Sequence, residues 1–301
     1  MASKQFDKFR QLLDANRPPD DRVNVESMRT NINAIGGRLG DGVSGTPDQV
    51  GGIPGEWIVD DSADADRGAV LLYLHGGGYV AGSVDSHRNL LGHLATAMGC
   101  ALFAADYRLA PEHPHPAPVE DAVAAYRGLV SDHDIEPGRI AIAGDSAGGG
   151  LTVATLLALR EAGDSMPAAA VTISPWIDLE ATGESATTRA AVDPMVSAGS
   201  LRLIARLFLG DDGDPHDPLA APLHADLSGL PPMLVQVGDA EVLLDDANRL
   251  AAGIEAAGGE AILEVWPEMV HVWHGSAGYV PESDEAIARI GEYLRPRLGL
   301  S

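Results

Sequence analysis

From residue 69 onward the chain alternates between two hydrophobic patterns. Short apolar runs are typical of buried strands, and longer segments with apolar residues every three or four positions are typical of helices. The strands are predicted at 69–74, 101–105, 140–143, 168–173, 233–237 and 262–266. The helices are predicted at about 86–98, 118–131, 147–162, 245–257 and 283–295. This alternation predicts an α/β fold whose mostly parallel sheet is covered by helices on both faces.

The segment before residue 69 follows a different pattern. Residues 3–14 place apolar side chains on one helical face, and Pro18 and Pro19 end the pattern. We expect this helix to cover the core or the active site rather than to anchor the chain at a membrane surface. The glycine-rich residues 36–55 are predicted to form a loop, followed by an antiparallel strand at 56–60.

A second departure lies at about 178–230, with a helical run at 200–209. It separates two predicted strands by far more residues than a single covering helix needs. We expect an insertion that folds over the carboxyl ends of the strands, where parallel sheets hold their chemistry.

The charge and cysteine content of the chain limit the kinds of molecule that it is expected to bind. The chain has 44 Asp and Glu against 20 Lys and Arg, and its formal charge of -24 repels nucleic acid and anionic lipid head groups. No apolar run approaches the ~18 residues that span a bilayer, and the first residues lack the apolar stretch of a signal peptide. Cys100 is the single cysteine, so an intramolecular disulfide is excluded. We expect a cytoplasmic protein without stable membrane insertion.

A serine lies where the strand at 140–143 is predicted to turn into the next helix. Gly144-Asp-Ser-Ala-Gly148 fills this turn, which is the context of a nucleophile elbow. Glycine is needed two residues before and after Ser146, because side chains there would collide with the neighbouring strand and helix. The amino end of the helix directs its amides and positive dipole toward the reacting centre. Ser146 is therefore the candidate nucleophile.

A glycine loop follows the strand at 69–74. Because His75-Gly-Gly-Gly78 lacks Cβ atoms after the histidine, its backbone can approach a substrate and direct amides at a developing oxyanion. A serine hydroxyl also needs a base to take its proton and a carboxylate to fix the tautomer of that base. Two loops after later strands supply these groups: 238–246 carries carboxylates, and 267–274 carries two histidines.

These motifs make the chain resemble the bacterial hormone-sensitive-lipase-like esterases over about residues 68–294. The resemblance is specific because it rests on several separate motifs. They are His75-Gly-Gly-Gly78, Asp106-Tyr-Arg-Leu-Ala-Pro-Glu112 with His113-Pro114, Gly144-Asp-Ser-Ala-Gly148, Ser174-Pro-Trp176, Asp217-Pro-Leu219 and the acid and histidine loops.

The resemblance implies an α/β-hydrolase fold, with a mostly parallel eight-stranded sheet and a helical cap. It divides the chain into N-terminal cap helices at 1–45 and a catalytic domain at 46–301, with the cap insertion at about 178–230. It further implies hydrolysis of a small-molecule ester or lactone without a metal or organic cofactor. A homodimer formed through an exposed sheet edge is left open.

The resemblance also assigns roles to single residues. The amides of Gly77, Gly78 and Ala147 are expected to form the oxyanion hole. Tyr79, the bulky residue after the glycine loop, and Trp176 are expected to contact the substrate. Because the cap is short and Tyr79 is bulky, short to medium acyl chains are the expected substrates.

The catalytic acid and base each have rivals. The family's acid loop reads Asp-Pro-Leu, any residue, Asp, whereas the aligned run here is Glu241-Val-Leu-Leu-Asp245. The resemblance therefore places Glu241 in the triad and leaves Asp239 and Asp245 as rivals, although Asp245 is expected to cap the following helix. The family pattern makes His271 the base, and His274 is expected to pack or to line the pocket.

Other polar residues are expected to be structural. Arg108 and Glu112 are predicted to bond to buried backbone or to each other. His113 and His115 lack a suitably spaced third ligand, and the acidic loop at 211–217 lacks the spacing of a calcium loop. The sequence therefore predicts no metal site.

Two alternatives to a simple esterase stay open. A lactone hydrolase would use the same residues on a cyclic ester. A receptor for a small ligand would use the same fold without catalysis, but receptors that resemble this family lack the histidine that this chain has. The sequence favours hydrolysis through an acyl-enzyme on Ser146.

Overall fold

The computed structural model describes residues 2–18, 23–61 and 66–300; Pro19, predicted to end the first helix, lies outside them. The strands are β1 (Val43–Val50), β2 (Ile53–Asp60), β3 (Asp66–Leu74), β4 (Cys100–Ala105), β5 (Ile140–Asp145), β6 (Ala169–Ile173), β7 (Met233–Gly238) and β8 (Ala261–Trp266). The helices are α1 (Lys4–Ala15), α2 (Val25–Ile35), α3 (Val84–Met98), α4 (Ala117–Ser131), α5 (Ala147–Ala162), α6 (Ser185–Thr188), α7 (Ala198–Leu209), α8 (Leu244–Ala256) and α9 (Pro281–Arg297). Short 3-10 turns occur at Pro137–Arg139, Pro222–His224 and Trp273–Ser276.

The strands form one 8-stranded sheet in the order β1-β2-β4-β3-β5-β6-β7-β8. β1, β2 and β4 pair antiparallel, and every pairing from β4 through β8 is parallel. All residues of β4, β5, β6 and β7 are buried, which explains why their sequences are continuous apolar runs. The mostly parallel, eight-stranded sheet predicted from the sequence is confirmed.

Helices cover both faces of the sheet. Side chains alternate along β3, so Leu72 and Leu74 join one apolar cluster while Leu71 and Tyr73 join the other. The first cluster includes buried residues of α4, α5 and α8, and the second includes those of α3 and α9. The carboxyl ends of the parallel strands are therefore left for loops, and these loops carry the candidate site.

The prediction of a loop at 36–55 is wrong. This stretch contains β1 and the start of β2, joined by Gly51 and Gly52 with φ of 58° and 79°. Paired glycines with positive φ are the signal of a two-residue hairpin turn, so the sequence did carry a clue. β1 lacks an apolar signal because most of its side chains are exposed.

The two N-terminal helices contact loops at the carboxyl ends of the strands. The buried Phe6 of α1 packs in a cluster that includes Met269 and Trp273 of the histidine loop. From α2, which the hydrophobic pattern did not predict, Arg29 donates hydrogen bonds to the carbonyls of Val80 and Ala110. In the described ranges, no helix combines the length and apolar character needed to cross a membrane.

Candidate active site

Ser146 is the single residue between β5 and α5, and its backbone has φ 54° and ψ -119°. This left-handed φ is strained for a residue with a side chain, and it turns the chain sharply from strand to helix. A Cβ on Gly144 would lie 2.3 Å from the carbonyl oxygen of Gly148, and one on Gly148 would lie 1.9 Å from that of Leu74. The two glycines of the motif are therefore required by close backbone packing.

The glycine loop faces the elbow. Gly77 and Gly78 have φ of 120° and 66°, and both are partly exposed. Among the hydrogen bonds of the described residues, none is donated by either amide. Ala147 is the first residue of α5, whose opening amides have no acceptor within the helix. These three amides have the freedom that an oxyanion hole requires.

Three side chains from separate loops form a hydrogen-bonded chain. His271 Nε2 lies 3.0 Å from Ser146 Oγ, and His271 Nδ1 lies 2.8 Å from Glu241 Oε2. With Nδ1–H donating to the carboxylate, Nε2 is free to accept the serine proton. Glu241 is fully buried and His271 is 5% exposed, whereas Ser146 is partly exposed. Of these three side chains, the Ser146 hydroxyl is therefore the one that a substrate can reach.

The two histidines of the loop differ in charge state. Burial acts to lower the pKa of His271, but the hydrogen bond and negative charge of Glu241 outweigh it and raise the pKa above its usual value. His274 is buried with Nε2 2.8 Å from Gln236 Oε1, and burial lowers its pKa to about 3. His274 therefore stays neutral and bonds to Gln236 of β7, whereas the charged form of His271 is favoured by its carboxylate partner.

The three carboxylates proposed for the acid have distinct positions. Glu241 alone contacts His271, and its Oε1 accepts hydrogen bonds from Ser174 Oγ and the Gly238 amide at 2.8 and 2.6 Å. Asp239 instead accepts from the Glu268 amide at 2.7 Å. The predicted capping role of Asp245 is wrong, because α8 begins one residue earlier and the Asp245 carboxylate accepts from the Ser185 amide at 2.8 Å.

Known proteins share this architecture. A profile of proteins with the α/β-hydrolase fold matches residues 71–275. An acetyl-hydrolase of Streptomyces hygroscopicus is 45% identical over 305 residues, which cover 99% of each chain. An esterase crystal structure from the bacterial hormone-sensitive lipase family is 50% identical, covers 99% of each chain and has a TM-score of 0.94. The structure of EstE5 soaked with p-nitrophenyl butyrate is 41% identical, with a TM-score of 0.94 and coverage of 99% and 100%.

The chain belongs to the bacterial hormone-sensitive-lipase-like esterases. The family and the α/β-hydrolase fold predicted from the motifs are thereby confirmed. The protein is a serine ester hydrolase, as its esterase and acetyl-hydrolase relatives indicate.

A buried polar network holds the glycine loop of this esterase. Asp145 Oδ1 accepts hydrogen bonds from Tyr73 Oη at 2.7 Å and from the Gly76 amide at 3.0 Å. Burial acts to raise the pKa of Asp145, but the charge and hydrogen bond of His87 and the bond from Tyr73 lower it to about 2. Tyr107 Oη donates to the His75 carbonyl at 2.6 Å. Asp145, the residue before Ser146, therefore positions the glycine loop through the Gly76 amide.

Ser174 was named in the sequence only as part of a motif. Its hydroxyl donates to Glu241 Oε1 at 2.8 Å and accepts from the Val272 amide at 3.1 Å. It thereby links the acid loop of the esterase to the residue that follows His271. Its position at the end of β6 was the available signal, since that strand neighbours β5 and β7 in the parallel sheet.

Tyr79 and Trp176 are both buried beside the glycine loop. The Tyr79 ring stacks on Phe208 of α7 with centroids 3.8 Å apart, and its centroid lies 6.0 Å from that of Trp176. Ile204 of α7 packs over Gly78, where a Cβ would lie 2.7 Å from its Cγ2. The insertion thus closes one side of the esterase site with apolar side chains, and substrate contact by Tyr79 and Trp176 stays a prediction.

Of the two predicted alternatives, Arg108 bonds to backbone, because its Nη2 donates to the Ala117 carbonyl at 3.4 Å. The alternative, a bond between Arg108 and Glu112, is wrong. Arg108 Nη2 lies 2.7 Å from Asp121 Oδ1, and Glu112 Oε2 accepts from Arg29 Nη2 at 2.7 Å. Glu112 therefore ties α2 to the loop that follows β4. A partner from the N-terminal helices could not be inferred from the local motif.

One group of side chains in the described part of the chain has ligand atoms close enough for a metal ion. Glu180, His216 and His224 bring them within 4.8 Å of one another, but all three are exposed. His216 already contacts the carboxylates of Glu180 and Asp214 at 3.1 and 3.4 Å. The expectation that the esterase uses no metal remains a prediction.

Proposed function

We propose that this esterase hydrolyses short to medium acyl esters through an acyl-enzyme on Ser146. The observation that carries the proposal is the unbroken chain from Glu241 through His271 to Ser146, with hydrogen-bond distances of 2.8 and 3.0 Å. A buried carboxylate, an oriented imidazole and a reachable hydroxyl are the parts that convert serine into a nucleophile.

The proposed cycle has two halves. Ser146 Oγ attacks the ester carbonyl as His271 Nε2 takes its proton, and the amides of Gly77, Gly78 and Ala147 stabilise the oxyanion. The tetrahedral intermediate collapses, the C–O bond to the alcohol breaks, and the proton on His271 passes to the leaving oxygen. A water molecule then repeats the sequence on the acyl-enzyme, releasing the acid and restoring Ser146.

The substrate range is proposed from the walls of the site. Tyr79 stacked on Phe208 and Ile204 over Gly78 leave little room beside the glycine loop. The name of the Streptomyces relative, an acetyl-hydrolase, agrees with a short acyl group. Rates on p-nitrophenyl esters from C2 to C12 test this: kcat/KM is expected to peak at C2 to C6. A higher value on C12 than on C4 would contradict the proposal.

Shortening Phe208 should change the acyl preference. Phe208→Ala removes the ring that stacks on Tyr79, so the ratio of kcat/KM on C8 to that on C4 is expected to rise about 10-fold. Phe208→Leu should give a smaller rise while it keeps more of the core packing. Leu12→Ala, on the exposed surface of α1, is the control and should leave the ratio unchanged. An unchanged ratio in both Phe208 variants would show that this ring does not limit the acyl chain.

The pH profile should report His271. Protonated His271 cannot accept the serine proton, so kcat/KM is expected to fall as pH drops through its pKa. Because Glu241 raises that pKa, the midpoint should lie above the ordinary histidine value of about 6.5. His274, with its pKa of about 3, contributes nothing over this range. A midpoint below about 6, measured on p-nitrophenyl butyrate, would contradict the assignment.

Assays on lactones beside the p-nitrophenyl esters distinguish an esterase from a lactonase and from a receptor that binds its ligand without hydrolysing it. A lactonase should hydrolyse γ- or δ-lactones with a kcat/KM well above that on open-chain esters. A receptor should turn over neither class while keeping its fold. The partly exposed Ser146, with its Oγ 3.0 Å from His271 Nε2, favours turnover over binding without catalysis.

The remaining assignments are also proposals. We propose that residues 1–45 and about 178–230 act as the cap on a catalytic domain at 46–301. The apolar side chains exposed on the edge strand β8, Ile262, Leu263 and Val265, support the homodimer expected from the family. Sedimentation measures that state, and cell fractionation tests the cytoplasmic location. The charge of -24 supports the absence of a nucleic-acid partner.

A further inference from the structure

The loop that carries Glu241 is held by the insertion as well as by the sheet. The amide of the next residue, Val242, donates to Asp193 Oδ2 at 2.9 Å. The carbonyl of Val242 accepts from Ser185 Oγ at 2.7 Å. Both partners belong to the insertion, which therefore forms hydrogen bonds with the peptide groups on either side of Val242.

Asp193 is a buried carboxylate with three backbone donors. It has no measurable solvent exposure, and its Oδ1 accepts from the amides of Met195 and Val196 at 2.9 Å each. No Lys or Arg of the described ranges forms an ion pair with it, so these amides and that of Val242 compensate its charge. A carboxylate buried in this way is costly to maintain, which points to a role beyond packing.

The segment that begins at Asp193 reaches both halves of the site. It continues into α7, where Ile204 packs over Gly78 and Phe208 stacks on Tyr79. One end of this segment therefore contacts the acid loop, and the other contacts the glycine loop.

We propose that Asp193 is a positioning residue for the triad: it fixes the peptide that follows Glu241, and so holds the carboxylate that orients His271. This inference rests on the proposed function of Ser146, His271 and Glu241. It gives the insertion a part in holding the acid, because Asp193 adds a contact to the acid loop beyond those that Ser174 and Gly238 make with Glu241.

The charges around His271 agree with this role. Glu241 from the acid loop acts on it most strongly, followed by Asp193 from the insertion and Asp145 from the elbow. His274, from the same loop as His271, is neutral over the working range. Removing the charge of Asp193 should therefore lower the pKa of His271.

Asp193→Asn tests both parts of the proposal. The variant can keep one carbonyl oxygen for the amides of Met195 and Val196, but it turns an NH2 group toward the Val242 amide. Two donors then face each other and displace the peptide after Glu241. For p-nitrophenyl butyrate we expect kcat to fall about 10- to 100-fold, with KM within about 3-fold of wild type. The acidic midpoint of the pH profile should move to lower pH.

Ser185→Ala is the matched control. The Ser185 hydroxyl donates a hydrogen bond to the carbonyl of the same residue, Val242, but Ser185 carries no charge. This variant should lower kcat by a smaller factor and leave the pH midpoint in place. A purely structural role for Asp193 predicts equal midpoints in both variants, and that result would overturn the proposal.

Two measurements do not depend on turnover. The His271 imidazole can be titrated by NMR in wild type and Asp193→Asn, and a shift to lower pH is expected even if the chain hydrolyses no ester. If Asp193→Asn does not fold, the proposal is tested by hydrogen exchange of the Val242 amide in the wild-type protein. Fast exchange of this amide would contradict its hydrogen bond to Asp193. Failure of the proposed function would instead appear as wild-type protein without Ser146-dependent hydrolysis.

Discussion

Ser146→Ala is expected to lower kcat on p-nitrophenyl butyrate by about a million-fold. The reason is that the proposed reaction begins with this hydroxyl: Ser146 Oγ lies 3.0 Å from His271 Nε2, at the strained turn that leaves it partly exposed. Oxyanion stabilisation and binding alone leave only a small acceleration over water. KM should change little, because the substrate binds the surrounding walls rather than the hydroxyl.

The covalent intermediate provides the control for this prediction. A fluorophosphonate probe should add one phosphonyl group to wild type and none to Ser146→Ala, with both proteins showing the same thermal unfolding transition. If Ser146→Ala lost no more than about 100-fold in kcat and was still labelled by the probe, a different nucleophile would have to attack the ester. Removing the small Oγ from a partly exposed position should cost little stability, so the comparison isolates chemistry.

The buried strands and helices were predictable because each carries a local signal. The predicted strand at 233–237 is Met233–Gly238, and the predicted helix at 147–162 is Ala147–Ala162. In both, hydrophobic burial decides the residue type at nearly every position, so the pattern is strong. β1 lies at the sheet edge with most side chains in solvent, and α2 has no buried residue. Where few side chains of an element are buried, its sequence has no regular hydrophobic pattern from which the element could be predicted.

The candidate site shows the same division. Ser146 was predicted from its elbow glycines, and the loop with two histidines from its place after a strand, because these constraints are local. The choice of His271 over His274 came from the family resemblance. The hydrogen bonds that hold Glu241 come from Ser174 and, through Val242, from Asp193. Their donors and acceptors are separated by 67 and 49 residues along the chain, so no spacing rule reveals them. Residues that orient the triad become visible only when distant loops meet.

Glu241→Gln is expected to lower kcat about ten-thousand-fold, which would decide between the acidic residues of the loop. Glu241 Oε1 already accepts from Ser174 and Gly238, so the amide of the glutamine would keep its oxygen there. Its NH2 would then face His271 Nδ1 and require that nitrogen to accept. The imidazole proton would move to Nε2, which could no longer take the proton of Ser146.

Asp239→Asn is the matched control, since it removes the rival carboxylate, which among the described contacts bonds only to the Glu268 amide. It should retain kcat within about 3-fold. Glu241→Asp should fall between the two, because the shorter side chain weakens the contact with Nδ1 but preserves the tautomer. If Asp239→Asn were the more damaging change, the acid would have to reach His271 by a rearrangement of the loop. Combining Glu241→Gln with Ser146→Ala should add almost nothing, because residues that act as one unit fail together.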